Sequence, residues 1–466
     1  MFILKYAKSA RCVPFLGFAS GTLVPIVMDG SGYLTRGRKV AAIIGDDWRK
    51  WKEIKDYQPL YHMDENLVPE YTLPSPLDKA DGTCVASAFE WMNFQRPEIL
   101  KLYQNEMFGE MIPRPDGMRF ELLSSKDDAL NGTALRREVR IHCFMNNGKK
   151  FSFDLLMYAP KSALEKPVPA FAGLNFKGNH GCTAERDVRP TPAAFDNGFK
   201  MVSPVNEETF FAEENWGIQK ERWCFEEAVA RGYASVTVCY EDIFPDRVNG
   251  WEDSCLSLFG DFEGYEGNHP RYSAIGAWTW GLARIMDYLE SCPLIDASRV
   301  GVHGHSRLGK TALWTGATDP RYKMVVSNDS GCGGAAVFRR MFGENWLIIT
   351  NVFPHWFVSG SRKYIMNEAQ MPFDQHFLVS LCAPRSVVIS SATEDLWADP
   401  KGEFLAAYHA GAVYALFGSS GLPCEQWPEP EVCVTGDISY HLRVGTHNQT
   451  PFDWMHFFDV ADRCLK

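Results

Sequence analysis

Positive charge is in short supply: 47 Lys and Arg against 58 Asp and Glu leave a formal net charge of −11. A nucleic-acid partner is not expected, because such proteins present a basic face to the phosphates. A local basic patch is expected only around Arg307 and Lys310. No Cys-x-x-Cys pair occurs among the thirteen cysteines, and there is no His-Glu-x-x-His, no phosphate loop and no Gly-x-Gly-x-x-Gly fingerprint. No metal and no cofactor is implied. Long apolar runs are also missing. Cys12 to Met28 comes nearest, but Gly17, Ser20 and Gly21 interrupt it, so no membrane span is expected. Lys5, Lys8 and Arg11 before it resemble a poor secretory signal, without a clean small-x-small cleavage site. Internal repeats and low-complexity tracts are absent.

What is present is a core-forming composition. Hydrophobic residues are 45% and charged residues 23% of 466, enough for a large core without disulfide or metal staples. One or two disulfides remain open, while Cys143 and Cys239 sit in apolar strand-like runs and read as small core residues. The 14 Trp and 17 Tyr mostly fill that core, although an indole face also suits a sugar ring.

Residues 1–90 read as an N-terminal extension and 91–466 as the main domain. Arg137 to Met145 and Phe151 to Tyr158 alternate around Asn146-Asn147-Gly148, a hairpin signal. Then the rhythm changes. Val168 to Phe176, Ala234 to Tyr240, Arg299 to His303, Met324 to Ser327 and Ser386 to Ser391 are buried-strand runs. Between them Lys220 to Ala230, Ala274 to Leu289 and Pro400 to Leu416 read as helices. Strands alternating with helices predict a mainly parallel sheet in a three-layer αβα sandwich, an α/β-hydrolase fold with an antiparallel N-terminal edge.

The chemistry centres on Gly304-His305-Ser306-Arg307-Leu308-Gly309. Ser306 follows a strand and precedes a helix-like stretch, so a sharp turn would lift its hydroxyl out of the sheet at a helix N-terminus. Leu308 stands where Gly-x-Ser-x-Gly has its second glycine, so the motif alone is weak; a structural serine between glycines is the bland alternative. A serine needs a base, and the base an acid. Four histidines lie beyond Asp395. His409 falls in a helix, and His456 sits among Trp454, Phe457 and Phe458 as a packed helix residue. His441 and His447 lie near the end of the last strand-like run; His447, in the loop beyond it, has the position of the base. Asp395 and Asp329 each follow a strand and compete as the acid, with Glu394 beside Asp395. The backbone N–H of Arg307 is placed to meet an oxyanion, and its guanidinium could add charge. The loop Lys177-Gly178-Asn179-His180 holds the position of a second donor loop.

Five stretches together resemble the glucuronoyl esterases of carbohydrate esterase family 15, particularly bacterial members. They are Gly173 to His180, Gly304 to Lys310, Asn328 to Ala336, Glu394 to Pro400, and Thr446-His447 before Pro451-Phe452-Asp453-Trp454. The resemblance covers roughly residues 90 to 466. It implies cleavage of the ester between 4-O-methyl-D-glucuronic acid on glucuronoxylan and a lignin alcohol. Ser306 would then be the nucleophile, His447 the base and Arg307 the oxyanion stabiliser. Lys310 and Glu344 would bind sugar hydroxyls, and Trp397 would contact the uronate. Many members carry Glu where this chain has Asp329, one methylene shorter; Asp395 is therefore favoured as the acid, with Asp329 second. The implied protein is a secreted or periplasmic monomer. An acetyl xylan or other carboxylic-ester hydrolase, or a non-catalytic glycan binder on the same scaffold, are the competing readings.

Overall fold

A computed structural model describes residues 30–54, 60–191, 199–203, 206–210 and 216–466. The signal-like stretch 1–28 lies outside the described residues. Ten strands form one sheet: β1 (Gly117–Asp128), β2 (Ala134–Phe144), β3 (Lys150–Pro160), β4 (Val168–Asn175), β5 (Ala234–Cys239), β6 (Ile295–His305), β7 (Met324–Asn328), β8 (Ser386–Ala392), β9 (Cys433–Val434) and β10 (Ile438–Arg443). Their spatial order is β1-β2-β3-β5-β4-β6-β7-β8-β10-β9. The six strands from β5 to β10 in that order are parallel, β1 to β3 form the antiparallel edge, and the two-residue β9 closes the other side antiparallel to β10. The hairpin β2–β3 turns at Asn146-Asn147-Gly148, where Gly148 takes a φ of 89° that favours glycine. A bulge in β1 between Leu122 and Ser124 leaves one residue without a partner on β2.

The parallel strands are apolar throughout because both of their faces are covered. Every residue of β4, β5 and β7 is buried. Phe171, Met324, Val326 and Val388 pack with Trp454, Phe457 and Phe458 on one face. Their chain neighbours Ala170, Ala172, Val325, Val387 and Ile389 point the other way, into a larger cluster holding Trp278, Leu313 and Phe404. This is the period of two expected of a strand, with helices on both sides.

Six helices matter below: α1 (Gly30–Ile44), α2 (Phe225–Ala230), α3 (Ala274–Leu289), α4 (Arg307–Thr318), α5 (Pro400–Ala415) and α6 (Pro451–Cys464). Helix α3 has the predicted span. Ser273 caps its N-terminus by accepting from Gly276 N–H, and Ile275, Trp278, Leu282, Ile285, Met286 and Leu289 are all buried. One predicted helix is corrected. Lys220 to Ala230 is a 3-10 turn at Lys220–Arg222 followed by α2, because Cys224 between them has a φ of 43° that no continuous helix accepts. Before residue 90, Tyr33, Val40 and Ile44 of α1, with Trp51 and Leu60, pack against Met341, Leu347, Ile348 and Met366. Twelve cysteines are free, and no disulfide joins any of the described residues. Among the described residues no helix is long and apolar enough to cross a membrane.

Candidate active site

Strand β6 delivers Ser306 to the N-terminus of α4. Ser306 has φ 59° and ψ −128°, a region a non-glycine residue enters only under constraint. Its N–H donates to Asn328 O at 2.8 Å, and its own carbonyl accepts from Gly309 and Lys310 N–H. Gly304 is obligatory here: a Cβ on it would lie 2.0 Å from the carbonyl oxygen of Leu308. The tight approach that Gly304 allows is therefore made against the backbone of Leu308, whose own side chain is buried. That is why the turn tolerates leucine at the position where a second glycine is usual. The N–H of Arg307, at the first position of α4, has no partner within the helix and faces outward with the helix dipole behind it.

His447 lies in the loop after β10. Its Nδ1 donates to Asp395 Oδ2 at 2.6 Å, across from the loop after β8. A carboxylate only accepts, so this bond keeps the proton on Nδ1 and the lone pair on Nε2. His305, directly before Ser306, lies ring to ring with His447 at 4.4 Å. The His305 Nδ1–H donates to Asn328 Oδ1 at 2.6 Å, and burial pushes its pKa well down, so it stays neutral beside the base. The loop carrying His447 is fastened from below. Arg443 donates to the carbonyls of Thr446 and Asn448, each at 2.8 Å, and to Asp453 at 3.0 Å. The two strand-end loops are also tied by Glu394 N–H to Gly445 O at 2.9 Å.

Asp329 enters the same site by another route. It accepts from Asn448 N–H at 3.1 Å rather than from the imidazole. Burial, then the charge of Asp395, hold its carboxyl well above the usual carboxylate range, against the pull of Arg443. Glu394, the competitor beside Asp395, is exposed. His441 is buried against Asp453, and His456 is a buried residue of α6, while His409 lies in α5.

No basic patch forms around Arg307 and Lys310, contrary to expectation. The Arg307 guanidinium pairs with Asp246 and lies 4.7 Å from the centre of the Trp356 ring. The buried Asp246 also accepts from His355 Nε2 and Trp356 Nε1, both at 2.7 Å. Burial alone would raise its pKa, but Arg307 and His355 outweigh that and keep it ionised. Asp246, His355 and Trp356 carried no motif in the sequence; the available signal was a run of acids, Glu241, Asp242 and Asp246, just beyond a buried strand. Lys310 is buried and donates to Ser330 O. Burial lowers its pKa, and Glu344 opposes that. The half-buried Glu344 is in turn raised by burial and lowered by Lys310, Arg307 and His447. Glu344 N–H donates to Trp397 O at 2.9 Å, and the half-buried Trp397 meets Tyr61 edge-on at 5.1 Å. The predicted donor loop is built from β4 outward: Asn179 donates to Asp154 O at 2.8 Å and accepts from Asn175 at 2.9 Å, so its amide is committed to holding the loop.

Glu403 of α5 braces the acid loops from beneath. It accepts from Ser330 N–H at 2.7 Å, Gly331 N–H at 2.9 Å and the Ser391 hydroxyl at 2.6 Å. Burial pushes its carboxyl up to about 7 from an ordinary 4.5, although those donors pull it down. The folded state thus binds this proton more tightly than the unfolded chain. The stabilisation is complete below pH about 4.5 and is lost as pH rises through about 7. Glu403→Gln keeps the acceptor for both N–H groups and does not titrate. Thermal melts at about pH 5 and pH 8 should show a smaller loss of Tm in the variant, the group accounting for ~3 kcal/mol at most. An identical fall in both proteins would sink this reading.

With this geometry in view, comparison with known proteins is decisive. A prokaryotic protein named carbohydrate esterase MZ0003 is 42% identical over 405 residues, 86% of this chain and 91% of that one. This chain belongs to carbohydrate esterase family 15, the glucuronoyl esterases. A family model described as "Glucuronyl esterase, fungi" matches residues 256–418. The solved glucuronoyl esterase from Solibacter usitatus is 38% identical with a TM-score of 0.78, covering 86% of this chain and 99% of that one. A promiscuous esterase of the same family from a marine bacterial metagenome is 39% identical with a TM-score of 0.75, covering 87% and 100%. The esterase is thus a carboxylic ester hydrolase, and the sheet described above is its α/β-hydrolase fold.

Proposed function

We propose that the chain hydrolyses the ester between 4-O-methyl-D-glucuronic acid of glucuronoxylan and a lignin alcohol, through an acyl-enzyme on Ser306. The 2.6 Å bond from His447 to Asp395, beside the strained Ser306 turn, carries this reading. His447 Nε2 takes the proton as Ser306 Oγ attacks the uronoyl carbonyl. Asp395 holds the ring and stabilises the imidazolium. The Arg307 N–H and the α4 N-terminus receive the oxyanion, with the Arg307 guanidinium adding charge nearby. His447 returns its proton to the departing alcohol, then activates the water that frees the uronate. Lys310 and Glu344, each within the other's electrostatic influence, offer a cation and a carboxylate suited to a sugar diol, and Trp397 offers an indole face to the ring. Such a substrate lies outside the cell, which supports a secreted or periplasmic protein.

A broader ester specificity is the second reading, favoured by the relative described as promiscuous. Initial rates on benzyl glucuronate, acetylated xylan and an aryl acetate separate the two. The uronate ester should give the highest kcat/KM, by at least ~10-fold, the scale of one buried polar contact. A preference for acetate would remove the glucuronoyl assignment and leave the esterase.

A further inference from the structure

The strongest unassigned cluster lies at the sheet edge behind the His447 loop. Cys433 of β9 stands directly across from His441 of β10, on the same face. His456 of α6 packs onto that face. The Cys433 sulfur and one ring nitrogen from each histidine lie within 4.8 Å of one another. Both histidines are buried, whereas Cys433 is exposed, so the group opens to solvent on its sulfur side.

The orientation of the rings is the telling feature. His441 Nε2 donates to Asp453 Oδ1 at 2.7 Å, which leaves a lone pair on Nδ1. That lone pair faces His456 Nδ1 at 2.6 Å. Thr435 Oγ1, 3.3 Å from His456 Nε2, can donate to that nitrogen or accept from it. His456 can therefore move its proton from Nδ1 to Nε2, where Thr435 Oγ1 accepts it; the Nδ1–Nδ1 hydrogen bond is given up, and both Nδ1 atoms then offer lone pairs that a cation between them would take. A carboxylate behind a histidine, with the histidine's other nitrogen aimed at a thiol and a second imidazole, is the arrangement that orients and strengthens zinc ligands.

We propose that Cys433, His441 and His456 bind one divalent cation of zinc-like chemistry, with Asp453 orienting His441 and water completing the tetrahedron. One thiol and two imidazoles favour a borderline-soft ion over magnesium or calcium. The balance is simple: the Cys433 thiol loses its proton, a sulfur–metal bond forms, and one proton is released per ion bound. The cysteine and histidines are 8 and 15 residues apart in an order no common zinc motif uses, so the site arises from strand register and helix packing. Through Asp453 the ion would sit one side chain from Arg443, which holds the carbonyls on either side of His447.

The test uses the full chain, stripped of metal by chelation, with zinc or cobalt(II) alone as the probe. The expected result is one zinc retained per chain through dialysis. Cobalt(II) should give tetrahedral visible bands and a near-ultraviolet sulfur-to-cobalt charge-transfer band. Calorimetry in buffers of different ionisation enthalpy should report about one proton released. Cys433→Ser, at an exposed position, should keep the fold and weaken zinc binding by at least about 100-fold. His456→Gln should do the same, and His447→Gln should leave binding unchanged. Failure to retain zinc, a cobalt spectrum without the sulfur band, or binding that survives Cys433→Ser would overturn the proposal. Loss of binding in His447→Gln would assign the ion to His305, Asp329 and His447 instead, whose ligand atoms also lie within 4.8 Å of one another, and would equally overturn it.

Discussion

Ser306→Ala should lower kcat by at least ~10³-fold while changing KM little. The variant keeps the Cβ, the α4 N-terminus and the Arg307 N–H, so substrate binding and oxyanion donation survive and only the attacking oxygen is gone. Folding should be unaffected. The strain at φ 59° is backbone strain, held by Ser306 N–H to Asn328 O and by the contact of Gly304 with Leu308 O, and neither involves the hydroxyl. Steady-state kinetics on benzyl glucuronate beside a thermal melt checks both halves. Full turnover with an unchanged melt would move the nucleophile away from this turn.

Asp395→Asn should cost ~10³–10⁴ in kcat, and Asp329→Asn less than the ~10²–10⁴ of a direct proton-transfer partner. The difference comes from what each carboxylate touches. Asp395 accepts the Nδ1 proton of His447, and an amide there can present its NH₂ to the ring and reverse the tautomer. Asp329 accepts a backbone N–H one residue further on, and burial holds it toward the neutral form, which stabilises an imidazolium poorly. An amide oxygen can keep that bond. The double variant should therefore resemble Asp395→Asn alone. Equal large losses from the two single changes would mean that the aspartates share the imidazolium charge.

The sheet was readable because its strands are buried on both faces. Val168 to Phe176 and Ala234 to Tyr240 left no polar face to confuse with a helix, and α3 announced itself by its apolar stripe. The Lys220 to Ala230 reading failed on one residue's φ, which the apolar spacing does not encode. Within the candidate site, the places of Ser306 and His447 just beyond strand ends were legible. The preference for Asp395 over Asp329 rested on the family resemblance, since both follow adjacent parallel strands and the sequence does not encode which side chain reaches the ring. Asp246 was invisible for the same reason: it meets Arg307 across 61 residues of chain.

The two open borders of the sheet deserve different treatment by any other chain that meets them. At one, β9 exposes only two residues of backbone. At the other, β1 runs for twelve, long enough to template an added strand. Its bulge after Leu122 spoils the register there, and Arg119, Glu121, Lys126, Asp127 and Asp128 line it with charge of both signs. A flat, uncharged border of that length would recruit its own copies into extended assemblies. This border instead makes any incoming strand skip a residue and match charges, which keeps copies of the chain from adding to one another edge to edge.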